Sequence, residues 1–361
     1  MARHPVYQRV KEALRQRILA GEYVVRDIPG ERRLATETGV SYMTARKAVG
    51  ELIDEQVLAR RPNGTLAVHP AFSESHASAT AALLIPAFPS PHLARCRIEI
   101  ERLAREHRVR MRTVEYAFWY DSIIPEALEG ADGLLIIPST EDVPDHLIKA
   151  FAAPPNRVAF FDADMTSRGL TSVHLFDPSH FRLLFDHLRD GGFESISCLN
   201  TQGHNDEILS RIACWKQWGE ETGTGGTLYD HEVEPYGDPL VHAHGAVLAM
   251  LDRGDTLPEA MVCTTYPAAV GAVRALHDRG IIVGRDIAVA AFNIEHPARY
   301  ATPSITGLEF PDLAPLLGGV FEWFTSEQNG PRAGRLIVPD EPSLFVGEST
   351  MQASSSASRS S

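Results

Sequence analysis

The chain has 361 residues, only four cysteines, and no long apolar run. Cys96, Cys198, Cys214 and Cys263 have none of the paired spacings of a metal site, so we expect reduced, mostly buried thiols. No stretch of about 18 apolar residues occurs, and the N-terminus has no apolar signal region. These absences predict a cytoplasmic protein with no membrane segment, no metal and no disulfide framework.

The motifs of common cofactor enzymes are also missing. No Gly-x-Gly-x-x-Gly sequence follows a predicted strand, and the glycine-rich stretch 223–226 lacks the lysine of a phosphate-binding loop. A pyridoxal enzyme needs a lysine for its Schiff base, yet beyond residue 70 only Lys149 and Lys216 occur, and neither lies in a glycine- or serine-rich turn. His242 and His244, two apart, would point to different sides of a helix. We therefore expect no enzyme, no cofactor and no metal.

Basic residues are concentrated at the N-terminus. Residues 1–70 hold 12 Lys and Arg against 8 Asp and Glu, a net charge of +4. Subtracting these from the totals of 34 and 47 leaves 22 and 39, a net charge of −17, for residues 71–361. Only residues 1–70 have a net charge that suits binding to a polyanion. The acidic residues 71–361 discourage nonspecific binding of a polyanion to the rest of the surface.

The N-terminal pattern predicts three helices followed by a hairpin. The helices cover residues 6–20, the stretch from 28 to 38, and 40–52, and the hairpin strands cover residues 57–61 and 65–68. Ser41 caps the third helix, which buries one apolar face and leaves Tyr42, Met43, Thr44, Arg46 and Lys47 on its surface. Hydroxyl, aromatic and cationic groups at these positions can bind the phosphates and base edges of DNA. The alternative interpretation is that this is an ordinary amphipathic surface helix.

Three groups of residues make positions 6–68 resemble the winged helix-turn-helix of GntR-family bacterial transcription regulators. They are Ile28-Pro29-Gly30-Glu31-Arg32-Arg33-Leu34-Ala35, Val40-Ser41 with Thr44-Ala45-Arg46-Lys47-Ala48, and Arg60-Arg61 with Gly64-Thr65. The resemblance implies that Arg32, Arg46 and the wing tip at Gly64 contact DNA. The full predicted DNA-binding set is Arg32, Ser41, Tyr42, Thr44, Arg46, Lys47, Arg60, Arg61 and Gly64. The chain departs from the family at Gly30, where the family has a capping Ser, and at Tyr42, where it usually has Arg.

Beyond residue 80 the sequence alternates short apolar runs with helical patterns. The predicted buried strands cover residues 81–86, 111–116, 133–138, 157–162, 196–199, 260–264 and 287–292, and the clearest helices cover residues 93–107, 180–190, 243–252 and 268–280. Such alternation produces parallel α/β sheets, whose ligands bind at the carboxyl ends of the strands.

Motifs at those strand ends are similar in order and spacing to the effector domain of LacI-type repressors, over roughly residues 80–348. They are Leu84-Ile85-Pro86 through Pro91, Ala131-Asp132-Gly133-Leu134-Leu135, Phe160-Phe161-Asp162, Arg211 with Cys214-Trp215, Ala269-Val270-Gly271, the stretch from Asp286 to Asn293, and Pro303-Ser304-Ile305-Thr306. The resemblance implies two doubly wound lobes of the periplasmic-binding-protein-like (type I) fold, joined by three crossovers, with an effector between them. A GntR-type DNA-binding module fused to such a domain resembles the arabinose-responsive repressors.

The resemblance and the chemistry of a polar ligand together predict an effector site. Arg211 aligns with a family arginine whose donors suit a carboxylate or vicinal hydroxyls, while the alternative is an ion pair with Asp206 or Glu207. Asp162 aligns with an acceptor for sugar hydroxyls, with helix capping as its alternative, and Tyr266 replaces the usual Asp with a ring for a sugar face. The predicted effector-binding set is Phe88, Ser90, His92, Asp162, Arg211, Thr265, Tyr266 and Asn293.

The sequence therefore predicts an α/β chain in four segments. These are a winged helix-turn-helix over residues 1–70, a linker over 71–79, a LacI-like effector domain over 80–348 and a disordered tail over 349–361. The expected function is that of a homodimeric regulator, a repressor, which reads a pseudo-palindromic operator in double-stranded DNA and responds to a sugar or sugar acid. The alternative is a small-molecule-binding or enzymatic α/β domain with a vestigial DNA-binding module.

Overall fold

A computed structural model describes residues 5–19, 22–23, 27–72, 79–88, 90–234, 237–326 and 334–351 of the chain. The chain forms two compact units, Met1–Val173 with Leu313–Ile337, and His174–Asp312 with Val338–Ser361. It therefore passes between the units three times, after residues 173, 312 and 337. Within the described ranges, no helix is long and apolar enough to cross a membrane.

The first unit begins with the winged helix-turn-helix module that the sequence predicted. Its elements are α1 Val6–Leu19, α2 Glu31–Thr38, α3 Tyr42–Asp54, β1 Leu58–Arg60 and β2 Leu66–Val68, and the two strands pair antiparallel. Leu14 of α1 and Leu52 of α3 are buried in one apolar core, which also includes Phe72. The folded module thus extends to Phe72, inside the predicted linker, while linker residues 73–78 lie outside the described residues.

Local chemistry sets the ends of these helices. Gly39 ends α2 in the left-handed conformation at φ 66°, which glycine adopts without steric cost. Ser41 precedes α3, and its hydroxyl accepts a hydrogen bond from the Thr44 amide at 3.2 Å. The short turn between Gly39 and Ser41 therefore fixes where α3 begins.

The elements beyond the winged helix-turn-helix module alternate between strands and helices. In chain order they are β3 Ala79–Pro86, α4 Pro91–Glu106, β4 Val109–Tyr116, α5 Ile123–Gly130, β5 Gly133–Ile136, α6 Asp145–Ala152, β6 Val158–Phe161, β7 Thr171–Val173, α7 Phe181–Asp190, β8 Ile196–Asn200, α8 Asp206–Thr222, β9 Leu228–Asp230, α9 Pro239–Asp252, β10 Ala260–Cys263, α10 Tyr266–Asp278, β11 Ala288–Asn293, β12 Thr306–Leu308, α11 Ala314–Thr325, β13 Leu336–Ile337 and β14 Leu344–Phe345. All seven predicted strands and all four predicted helices are present.

The lobe of the first unit is a six-stranded parallel sheet in the order β13-β7-β6-β5-β3-β4. Leu84, Leu134 and Phe160 are buried on one face of this sheet. On the other face α11 lies so close to β5 that a Cβ atom on Gly133 would be 2.4 Å from the ring of Phe324. The glycine at the start of β5 therefore permits this close packing.

The second unit contains a six-stranded sheet in the order β14-β12-β11-β10-β8-β9, parallel except for β14, which runs antiparallel to β12. Ser349 and Thr350, which the sequence predicts to be part of the tail, are buried in this unit. The Ser349 hydroxyl accepts from the Thr306 amide at 2.9 Å. The folded unit therefore includes the first residues of the predicted tail, and residues 352–361 lie outside the described residues.

Candidate functional site

The exposed face of α3 carries the side chains predicted to read DNA. Ala45, Ala48, Val49 and Leu52 are buried on the opposite face. Tyr42 is 42% exposed and Met43 66% exposed. Arg46 is also exposed, and its contacts with the described residues include no hydrogen bond or ion pair. Its guanidinium is therefore available to an anionic or hydrogen-bonding partner.

Two arginines at the start of α2 differ in their contacts. Arg33 donates to the Glu37 carboxylate at 2.8 Å within the same helix. Arg32 is exposed, and no acidic group in the described part of the chain pairs with it. Because an ion pair restrains a long side chain, Arg32 has more freedom than Arg33 to reach a phosphate.

The wing arginines have partners within the winged helix-turn-helix module. Arg60 contacts the Glu31 carboxylate and donates to the Gly64 carbonyl oxygen at 3.2 Å. Burial opposes ionisation of Glu31, but a backbone hydrogen bond and Arg60 outweigh it and lower the pKa of the carboxyl. Arg61 lies 3.8 Å from Asp27, and Gly64 occupies the wing tip at φ 83°. Arg60 thus joins the wing to the start of α2.

The remaining predicted residues of α3 also have internal contacts. The Lys47 ammonium lies 4.0 Å from the centroid of the Tyr7 ring, a cation–π contact. The hydroxyls of Ser41 and Thr44 are 2.8 Å apart at the N-terminus of the helix. The nine predicted DNA-binding residues therefore all belong to one module, and Arg32 and Arg46 are the two arginines of the set without an ion pair in the described ranges.

In the second unit Arg211 is only 6% exposed and forms the centre of a polar cluster. Its Nε and Nη2 atoms both lie 2.8 Å from Glu207 Oε1. Its Nη1 atom donates to the Thr264 carbonyl oxygen at 2.6 Å and to Asn293 Oδ1 at 3.0 Å. These four contacts use four of the roughly five N–H donors of a guanidinium. The ion pair with Glu207 is one of the two alternatives that the sequence left open.

Glu207 is charged in this cluster. Burial opposes its ionisation, but Arg211 and His174 outweigh that effect and lower the pKa of Glu207 to about 2. His174 Nε2 is 2.8 Å from Glu207 Oε2. His174 was not predicted, because it lies 33 residues from Glu207 and no local pattern links the two. The Arg211 charge is therefore balanced by a carboxylate of the same unit.

The hydrogen-bond network continues from Thr264 to the next strand. The Thr264 hydroxyl donates to Asn200 Oδ1 at 2.9 Å, and Asn200 Nδ2 donates to Asp230 Oδ1 at 2.9 Å. Asn200 and Asp230 end β8 and β9, and Thr264 directly follows β10, so polar groups meet at the carboxyl edge of the sheet. This is the edge at which parallel α/β sheets bind ligands.

Thr265 and Tyr266 lie at the start of α10. The Thr265 hydroxyl accepts from the Ala268 amide at 3.4 Å and caps the helix. Tyr266 is half-buried, and burial together with Glu295 raises the pKa of its hydroxyl. Its ring packs in part against the apolar core of this unit.

The first unit holds the other four residues of the predicted effector set. His92 Nε2 lies 2.8 Å from Asp162 Oδ2, so the described contact of Asp162 is with a histidine. Burial opposes protonation of His92, whereas Cys96 and Asp162 raise its pKa well above the ordinary histidine value. Ser90 caps α4 by accepting from the Leu93 amide at 3.4 Å. The Phe88 amide donates to the Pro86 carbonyl oxygen at 2.8 Å, just beyond β3.

Across the described residues, no group of three or more His, Cys, Asp or Glu could hold a metal ion. All four cysteines are free thiols, and Cys96, Cys198 and Cys263 are buried.

Two sequence families match separate parts of the chain. Residues 6–68 match the family described as bacterial regulatory proteins, gntR family, and residues 185–313 match the periplasmic binding protein-like domain. The matches fall on the winged helix-turn-helix module and on the second unit.

Curated relatives match the chain in part. The regulator GanR of Bacillus subtilis is 24% identical over 227 residues, covering 58% of this chain and 63% of GanR. The repressor MngR of Escherichia coli is 37% identical over 59 residues, covering 16% of this chain and 25% of MngR. GalR of Streptococcus thermophilus is 27% identical over 157 residues, covering 42% of this chain and 46% of GalR. The chain spans less than two thirds of the length of each.

Solved structures of the Lac repressor share the fold. The repressor bound to ONPG in the repressed state is 17% identical with a TM-score of 0.63, covering 92% of this chain and 95% of that one. A dimeric form with an 11-residue C-terminal deletion is 16% identical with a TM-score of 0.61, covering 76% of this chain and 99% of that one.

Proposed function

We propose that this chain, which joins a GntR-type DNA-binding domain to a periplasmic-binding-protein-like domain, is a transcription regulator whose affinity for operator DNA is controlled by a small polar effector. It acts as a homodimeric repressor in the cytoplasm and catalyses no reaction. The names of its relatives support this proposal, since GanR is called a regulator and MngR a repressor. The basic first 70 residues of an otherwise acidic chain support it independently.

The exposed position of Arg46, without an ion pair, is the observation that supports the DNA-binding part of the proposal most directly. Arg46 lies on the exposed face of a capped helix whose other face is buried, and no described acidic residue neutralises it by an ion pair. Arg can bind guanine with two hydrogen bonds in the major groove. The nearby exposed Tyr42 and Met43 suit apolar contacts, such as a thymine methyl group.

The Arg211 cluster supports a neutral, hydroxyl-bearing effector. Because Glu207 already balances the charge of Arg211, a second carboxylate beside it would meet a net charge near zero. Sugar hydroxyls both donate and accept, so they suit the carboxylate, amide and guanidinium groups gathered here. We therefore favour a sugar over a sugar acid, with the half-buried Tyr266 ring as a surface for its apolar face.

A gel shift on the DNA upstream of the chain's own gene, repeated at several salt concentrations, tests the proposed function. Arg46→Ala should weaken operator binding by about 1 to 3 kcal/mol and relax specificity at one base pair. Arg32→Ala should weaken binding to all sequences alike and reduce the salt dependence.

Arg33→Ala is the matched control, because Arg33 lies beside Arg32 but is paired with Glu37. It should have a smaller effect than either of the other variants. Unchanged operator binding by folded Arg46→Ala and Arg32→Ala proteins would contradict the assignment.

A further inference from the structure

The first residues of the second unit, 174–180, form an entry segment that holds two histidines with opposite surroundings. The segment follows β7, where the chain passes from the first unit to the second. His174 Nε2 has a carboxylate partner, Glu207 Oε2, at 2.8 Å. His180 is only 9% exposed, and its buried Nδ1 atom has no hydrogen-bond partner among the described residues. A protonated ring donates from both nitrogens, so the surroundings of His180 favour the neutral ring.

The position of His180 at the start of α7 also opposes a positive charge. His180 directly precedes the helix, and its side chain makes no capping hydrogen bond to it. The N-terminus of a helix carries a partial positive charge, so a cation there is unfavourable, and the first turn of α7 contains no acidic residue to offset this. Burial lowers the pKa of His180, although the Asp177 carboxylate acts in the opposite direction.

The ionisable groups of α7 and α8 beside the entry segment are paired or neutral. Arg182 of α7 forms a 2.7 Å ion pair with Glu221 of α8, and Arg211 of α8 is balanced by Glu207. Burial raises the pKa of the Cys214 thiol to about 11, so this group is uncharged near pH 7. A proton on the ring at position 180 therefore adds a charge that neither helix is placed to balance.

The residue after His180 connects it to the Arg211 cluster. The centroid of the Phe181 ring lies 5.5 Å from Arg211 Cζ and 4.7 Å from the centroid of the Phe292 ring. Phe292 directly precedes Asn293, whose side chain accepts from Arg211. Movement at the start of α7 therefore disturbs aromatic contacts of the cluster.

We propose that His180 is a pH-sensitive switch, whose protonation loosens the start of α7 and with it the Arg211 cluster. The folded pKa of His180 lies below the ordinary value of 6.5. The stability that the neutral ring provides is therefore complete above pH 6.5 and is lost as the pH falls below it.

As a regulator of effector binding, the switch rests on the proposed function. The loosening itself is measured without effector or DNA, so the switch and the proposed function can fail separately.

Hydrogen exchange of the full-length protein at pH 7.5 and 5.5, corrected for the intrinsic pH dependence of exchange, tests the switch. Peptides from residues 174–185 report on the start of α7, and peptides from α10 are the internal reference. Amides at the start of α7 should exchange up to about tenfold faster at pH 5.5, the limit for one proton over the single pH unit below 6.5.

His180→Gln should lose this acceleration, because its side chain carries no charge at either pH. His180→Asn is a second variant with the same uncharged chemistry in a shorter side chain. His277→Gln is the matched control, since His277 is exposed in the last turn of α10 in the same unit, and it should behave like the original protein.

His187 is the competing explanation for an acid response of α7. It lies near the other end of the helix, and burial lowers its pKa too, but its Nε2 atom is 3.0 Å from the Thr350 hydroxyl, which can accept a ring proton. His187→Gln should therefore keep the acceleration at the start of α7.

Four results would overturn the proposal. The first is unchanged exchange at the start of α7 in the original protein at pH 5.5. The second is equal acceleration in His180→Gln and the original protein, and the third is loss of the acceleration in His187→Gln or His277→Gln. The fourth is failure of both His180→Gln and His180→Asn to fold at pH 7.5, which would assign the neutral ring a structural role.

Discussion

Arg211 and Glu207 show how one charged pair sets the chemistry of the second unit. Arg211 is 7% exposed and Glu207 24% exposed in their side chains, so both charges are largely removed from water. Such pairs are costly to break, because removing one partner leaves the other buried and uncompensated. Arg211 is therefore both the proposed ligand contact and a residue that the fold requires to stay paired.

Glu207→Gln should lower the free energy of unfolding by about 2 to 4 kcal/mol at pH 7. The pKa of Glu207 is lowered from 4.5 to about 2 in the folded chain, so its stabilising effect is present above pH 4.5. That effect is lost as the pH falls from 4.5 toward 2, where the folded carboxyl is protonated. Urea unfolding of both proteins at pH 7 and near pH 3 should therefore give a smaller difference at the lower pH.

Glu221→Gln is the control for this measurement. Glu221 lies on the same helix, α8, and forms a 2.7 Å ion pair with Arg182, but both side chains are well exposed. Exposed pairs contribute little to stability, so this variant should unfold like the original protein. An equal loss of stability in both variants would show that the Glu207 pair has no special role.

At the scale of elements, α3 depends on its cap as well as on its buried face. Ser41 satisfies one backbone amide, while Ala45 and Leu52 anchor the helix to the core of the module. The cap lies in the same turn as Tyr42 and Met43 of the proposed DNA-reading face. A substitution at Ser41 can therefore separate the stability of the helix from its contact with DNA.

Ser41→Ala should lower stability by about 1 kcal/mol, since alanine cannot cap the helix. Ser41→Asp should retain the cap and the stability, yet weaken operator binding about tenfold because a carboxylate would face the phosphates. Thermal unfolding and gel shifts on both variants measure the two effects. Asn205→Asp, at the cap of α8 in the second unit, adds the same charge and should leave operator binding unchanged. Normal operator binding by Ser41→Asp would place the N-terminus of α3 away from DNA.

The longer elements were predictable from sequence because their patterns are local. The apolar run of β3 and the cap, buried face and glycine stop around α3 all lie within a few consecutive residues. The three-residue strands β7, β9 and β12 were missed, since so few residues show no periodicity. Their pairing with neighbouring strands is decided by contacts between distant parts of the chain.

The contacts of the Arg211 cluster could be predicted only in part. Arg211 and Asn293 were both predicted, and the structure places their side chains 3.0 Å apart although 82 residues separate them. Glu207 was considered only as an alternative partner, four residues before Arg211 on the same helix. The carbonyl of Thr264 and the ring of His174 complete the cluster from remote positions, which no local pattern reveals.

At the scale of the whole molecule, the proposed regulator has its DNA-reading face and its Arg211 cluster in different compact units. An effector can alter DNA binding only if its affinity differs between the DNA-competent state and another state. The coupling is reciprocal, so the factor by which effector weakens operator binding must equal the factor by which operator weakens effector binding. The sugar with the largest thermal shift in a panel of sugars and sugar acids is the ligand for this measurement.

Asn293→Ala tests this coupling without removing either member of the Arg211 and Glu207 pair. The variant loses the acceptor for one Arg211 donor, so it should weaken effector binding about three- to tenfold, as expected for one hydrogen bond. Operator affinity without effector should stay within about twofold, because α3 belongs to the other unit. Asn156→Ala, which removes a hydrogen bond to Ala150 in the first unit, should keep the original effector affinity. Calorimetric titration of effector with and without operator gives one coupling factor for each protein. Titration of operator with and without effector gives the other. A coupling factor of one would show that the sugar does not control operator binding. An unchanged effector affinity in Asn293→Ala would place the effector away from the Arg211 cluster.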